Sequence, residues 1–224
     1  MPRVLQLALA VALAAAPSLA LADGDPVALG PPTVYERFVL SACSPCVREV
    51  YPIATLPVAP VALPGFPRTA TASGGRAGEI AIDVLRAYQP GRPDWKSLAL
   101  RVTMSVTTGA GGDPFRLGTG LLDGADVAAL AQAVGELARI ATAPPGELRP
   151  DTVDADYHGG TLRIGVLQIR GEAIGYVQTG DLPTVMQRAV WEVPTTLYLP
   201  VKELSAVATA LGQAAARIQQ VRGN

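Results

Sequence analysis

Cys43, Ser44, Pro45 and Cys46 are the one stretch of the chain where reactive side chains stand at a chemically meaningful spacing. Two thiols three positions apart can close a small disulfide ring, exchange disulfides with a partner, or supply part of a metal site. They are the only cysteines among 224 residues, and His158 is the only histidine, so a zinc site would still lack a fourth ligand. No metal or cofactor is expected. In an oxidising compartment the two thiols should pair. Loop entropy gives so short a ring only about 2 kcal/mol, so it serves as a local pin or as redox chemistry.

The other motifs carry less. Asp154-Ala155-Asp156-Tyr157-His158-Gly159 opens like a calcium loop, but its twelfth position is Gly165 where a bidentate Glu belongs, and the segment reads as a solvated linker turn. His158 is the only imidazole base, and no Gly-x-Ser-x-Gly elbow accompanies it. Gly109-Ala110-Gly111-Gly112 precedes a strand. Gly118-Thr119-Gly120 precedes a helix whose start carries Asp123 and Asp126, which would repel a phosphate. Both read as turns or points of close backbone approach. Trp95 and Trp191 read as residues at the edge of a core.

Cys-x-Pro-Cys after a strand resembles the active site of the thioredoxin-like family, and Val193-Pro194-Thr195 looks like that family's cis-proline loop. The resemblance implies Cys43 as nucleophile, Cys46 as resolving thiol and Pro194 as the cis-proline. Such a nucleophile needs the N-terminus of a substantial helix to stabilise its thiolate, and Pro52, Pro57 and Pro60 deny it one. A structural disulfide between Cys43 and Cys46, with no catalytic residue, is the preferred reading. A thiol–disulfide oxidoreductase is the alternative.

The elements that must position these residues follow from pattern. Residues 1–22 combine Arg3, an apolar run from Val4 to Ala16 and the small residues Ala20-Leu21-Ala22, the layout of a signal peptide cleaved after Ala22. The run is too short to span a bilayer, so the membrane is met only in transit, and the destination is periplasmic or extracellular. Residues 23–78 form an extended, proline-rich segment with one strand, the alternation from Val34 to Ala42, leading into the cysteine pair. Leu56–Pro67 reads as polyproline-like coil.

Residues 79–145 hold strands around Ile80–Leu85, Leu98–Thr107 and Phe115–Leu122, then a helix with Asp123 as N-cap and Val127, Leu130, Val134 and Leu137 on one face. Residues 146–224 repeat the order, with strands from Leu162, Ala173, Met186 and Thr195 and a closing helix bearing Leu204, Val207, Leu211 and Ile218. The two helices match at an offset of 77: Val127, Leu130 and Val134 fall on Leu204, Val207 and Leu211. The expected fold is therefore α+β, antiparallel sheets with two covering helices in two related βββα units.

A net charge of −1 and 17% charged residues exclude a charge-driven nucleic-acid binder, and 49% apolar residues exclude wholesale disorder. The functional expectation is an exported, non-catalytic binding or assembly module. Its partner would be a protein or a small ligand, not a nucleic acid.

Overall fold

The computed structural model describes residues 32–61, 77–107, 114–142, 153–169, 172–179 and 195–223. The segment 1–22 read as a signal peptide, the turn expected at Gly109–Gly112, the strand expected at Met186–Val193, Trp191 and Pro194 lie outside these described residues. The architecture is α+β, with two antiparallel sheets of four strands each. The first sheet runs in order β1 (Val47–Val58), β2 (Gly78–Gln89), β3 (Arg92–Thr107) and β4 (Pro114–Asp123), followed by helix α2 (Val127–Ala141). The second runs β5 (Val153–Gly159), β6 (Leu162–Ile169), β7 (Glu172–Thr179) and β8 (Thr195–Pro200), followed by α3 (Val201–Gly223). A short helix α1 (Val34–Arg37) precedes both and continues into a π-helical turn at Phe38–Ala42.

Period-two alternation decides the faces. Ile80, Ile82 and Val84 pair with Met104, Val102 and Leu100, and all six are buried on the inner side of the first sheet. Ile164, Val177 and Leu197 form the matching row across the second. The helices close these faces at 3.6-residue spacing, α2 through Val127, Leu130 and Val134, α3 through Leu204, Val207, Leu211 and Ile218. Each fully buried side chain of this size contributes about 1.5–3 kcal/mol.

The two helices lie against each other and do not simply cover their own sheets. α2 packs on β5 and β6, while α3 packs on β1, β2 and β3 and also reaches β7 and β8. Both inner faces and both helices therefore belong to one continuous core. The sheets also meet directly. Thr161 N–H donates to the Leu121 carbonyl at 3.0 Å, and Leu121 N–H donates to Thr161 Oγ1 at 2.8 Å. These bonds cap the free edge of β4 with the β5–β6 turn. Gly160 allows the approach: its φ is +57°, and a Cβ there would lie 2.2 Å from the Leu121 oxygen.

Four local expectations give way. Val34–Ala42 is helical and not a strand, because Thr33 and Glu36 form a capping box: Glu36 N–H donates to Thr33 Oγ1 at 3.1 Å and Thr33 N–H to the Glu36 carboxylate at 2.7 Å. Local hydrogen bonds outweigh the weak alternation. Val47–Val58 is a strand despite Pro52 and Pro57. Among the described residues it pairs with β2 alone, and prolines are tolerated on an edge, where the missing N–H faces no partner. A register shift between Pro52 and Ala54 re-phases the strand between the two prolines. Residues 153–159 are strand β5 and not a linker turn, so the fourth described strand of the second sheet is this one, while the first sheet gains β1 beyond the three strands expected for residues 79–145. Finally, the N-cap of α2 is Asp126, and Asp123 serves a different helix.

Candidate functional site

The cysteine pair sits where a helical segment ends. Cys43 and Cys46 are disulfide-bonded, with Cα atoms 4.9 Å apart, and the Ser44–Pro45 peptide between them is cis. Cys43 N–H donates to the Phe38 carbonyl at 3.0 Å, closing the π-helical turn, and β1 begins at Val47. Cys43 is therefore at the carbonyl end of its helical segment. The partial negative charge there disfavours a thiolate, the reverse of what a redox nucleophile requires. Only 7% of Cys43 is exposed. Gln89 Nε2 donates to the Ser44 carbonyl at 3.2 Å, tying the ring to the β2–β3 hairpin.

This clasp holds a cap on the outer face of the first sheet. Tyr35 packs with Leu85, Ala87, Ala99 and Leu121, and Phe38, Val39 and Cys46 border the cluster. Burial pushes the Tyr35 hydroxyl pKa up, against the opposing pull of Arg48 and Arg101. Trp95 meets Phe38 edge to face at 5.7 Å, and the Arg92 guanidinium lies over the Trp95 ring. Asp123 joins this cap to β4, accepting the amides of Val34 at 2.9 Å and Tyr35 at 3.1 Å. Those amides belong to the first turn of α1, whose N–H groups have no partner within the helix.

Beside the cap lies a cleft of about 340 Å³. Four distant parts of the chain line it: Val34 of α1, Asp94, Lys96 and Leu98 of β3, Asp123 at the β4–α2 corner, and Arg222 near the end of α3. Its walls are mixed, apolar at Val34 and Leu98 and charged at the remaining four positions. Nothing in the sequence pattern marks these residues. Lys96 and Asp94 alternate along β3 like any half-exposed strand, and Arg222 is one of several cations on α3.

The carboxylates of the calcium-like motif have another role. Strand alternation exposes Asp154, Asp156 and His158, while Ala155 and Tyr157 pack against the core. Arg163 spans the two carboxylates, its Nη2 donating to Asp154 and its Nε to Asp156, both at 2.8 Å. Tyr176 crosses Gly165 to donate its hydroxyl to Asp154 at 2.7 Å. Burial and that acceptor push the Tyr176 pKa up, and the Asp156 hydrogen bond does the same for Arg163. The arrangement is a cross-strand ion network. Among the described residues no group of three His, Cys, Asp or Glu side chains is placed to hold a metal.

A second polar cluster lies where β1 meets β2. Glu49 accepts from the hydroxyls of Tyr51 and Tyr88 and from Arg86. The Tyr51 hydrogen bond holds the Glu49 carboxyl below the usual range; desolvation opposes it, and Arg86 and Tyr88 add to the lowering. Arg217 of α3 lies over the Tyr51 ring. This cluster fastens the end of α3 to the edge strand.

Gly118-Thr119-Gly120 runs within β4, where a Cβ on Gly120 would approach Thr179 Cγ2 to 3.0 Å. No helix among the described residues is long and apolar enough to cross a membrane. Comparison with known protein families and with curated proteins finds no match to this chain.

Proposed function

We propose that the protein is an exported, non-catalytic binding module that takes a small ligand in the cleft beside its N-terminal cap, with the Cys43–Cys46 disulfide as a structural clasp. The observation that carries this reading is the placement of the cystine. Its Cys43 is buried at the carbonyl end of a helical segment, and the bridge secures the cap whose first residue, Val34, forms one wall of the cleft. A ligand site assembled from four separated segments is positioned by the whole fold, as binding clefts usually are. Export rests on the layout of residues 1–22 and accords with the paired cysteines.

The two halves are proposed to be a duplication. Each has four strands then a helix, and the matched positions Val127, Leu130 and Val134 against Leu204, Val207 and Leu211 are buried in both.

Two measurements test the reading. The protein should not accelerate insulin reduction by dithiothreitol; acceleration that Cys43→Ser abolishes would replace it with the oxidoreductase. N-terminal sequencing of the protein from fractionated cells should begin at Asp23 outside the cytoplasm. An intact N-terminus retained in the cytoplasm would remove export from the proposal.

A further inference from the structure

We infer that the cleft accepts a small organic carboxylate with a short apolar tail, its anionic end recognised by Lys96 and Arg222; this rests on the cleft being the ligand site. The argument begins with which charges are already committed. Arg86, Arg101 and Arg163 are each bonded to carboxylates of neighbouring strands. Lys96 and Arg222 make no hydrogen bond or ion pair with any described residue, yet they line the same cleft.

One of the two acidic neighbours is already engaged elsewhere. Both Asp123 oxygens already accept α1 amides, at 2.9 and 3.1 Å, so its charge is turned toward the cap. Asp94 has no such bond to a described residue, so Lys96, Arg222 and Asp94 are the charged groups of the cleft without a bonded partner among the described residues. An anion bound there would gain charge-assisted hydrogen bonds that the free protein does not make for itself.

The apolar walls define the rest of the ligand. Leu98 is only partly covered by the core, and Val34 is 54% exposed despite its place in a capped helix. An alkyl chain between them would remove both from water. A volume of about 340 Å³ is at the small end for ligand sites, suited to a short chain and not to a folded partner.

The test uses the full exported chain and a series of n-alkyl carboxylates from acetate to octanoate, each beside its neutral amide, titrated at constant ionic strength. Saturable binding by the carboxylates should tighten with chain length until the cleft is filled. Lys96→Met and Arg222→Gln, with unchanged circular dichroism, should each weaken the best acid by about tenfold. If amides bind as tightly as acids and Leu98→Asp abolishes both, the cleft remains a binding site and the anion assignment fails. If neither series saturates, both the cleft reading and this inference fail. Binding that survives both cation substitutions unchanged also overturns it.

Discussion

Replacing Gly160 by Ala perturbs a turn at which the two sheets are hydrogen-bonded to each other, and Gly91 provides the control. Both glycines have positive φ, +57° and +78°. An L-residue in that region costs roughly 1–2 kcal/mol, partly offset by about 0.4–1 kcal/mol from a stiffer unfolded chain. For Gly91, with nothing within 4 Å of the added methyl, that is the whole effect, so Gly91→Ala should cost about 1 kcal/mol. At Gly160 the methyl would stand 2.2 Å from the Leu121 oxygen, a backbone atom that cannot swing aside. The β5–β6 turn must withdraw, and the 3.0 and 2.8 Å bonds between Thr161 and Leu121 go with it. Losing two bonds at about 1 kcal/mol each brings Gly160→Ala to about 3 kcal/mol. Urea titration followed by circular dichroism reads both values, as a lower midpoint at unchanged slope. If the two variants agree within about 0.5 kcal/mol, the sheets are not held together at this turn and the reasoning is wrong.

Further outcomes follow from the same contacts. Leu130→Ala on α2 should cost about 2–5 kcal/mol and lower the stability of both sheets in a single transition, because the core is shared; two resolved transitions in denaturation would show independent halves. Asp123→Ala removes the acceptor of two α1 amides and should cost about 1–2 kcal/mol, with faster hydrogen exchange confined to residues 33–39; uniform exchange along the chain would contradict this. Glu49 titrates below its ordinary value of 4.5 in the folded protein, so its stabilisation is complete above that value and is lost as pH falls through the lower folded pKa. The urea midpoint should therefore decline below about pH 4.5, and Glu49→Gln should flatten that part of the profile. The double change Cys43→Ser with Cys46→Ser should lower the melting temperature by no more than about 8 °C, since the ring is short; a larger fall would mean that the clasp constrains far more than its own loop.

The sequence by itself determined what depends on local periodicity. The alternation of Ile80, Ile82 and Val84 and the 3.6-residue rows of α2 and α3 each write one buried face into one element, so those strands and helices were legible, and with them the α+β class. The cysteine pairing was legible from the spacing taken together with the expected oxidising compartment. The helix at Val34 was legible too, through Thr33 and Glu36, but only to a reading that set the capping box above the alternation.

Tertiary structure decided the rest. A proline-bearing segment becomes β1 because the sheet has an edge on which a missing N–H is harmless, and sequence does not say which strand is the edge. The stretch 154–158 becomes a strand because β6 pairs with it, Arg163 standing opposite His158 and reaching diagonally to bind Asp154 and Asp156. The cleft was invisible for the same reason. Val34, Lys96, Asp123 and Arg222 are unremarkable where they stand in the chain, and become one site only when the end of α3 and the N-terminal cap meet at the same end of the first sheet.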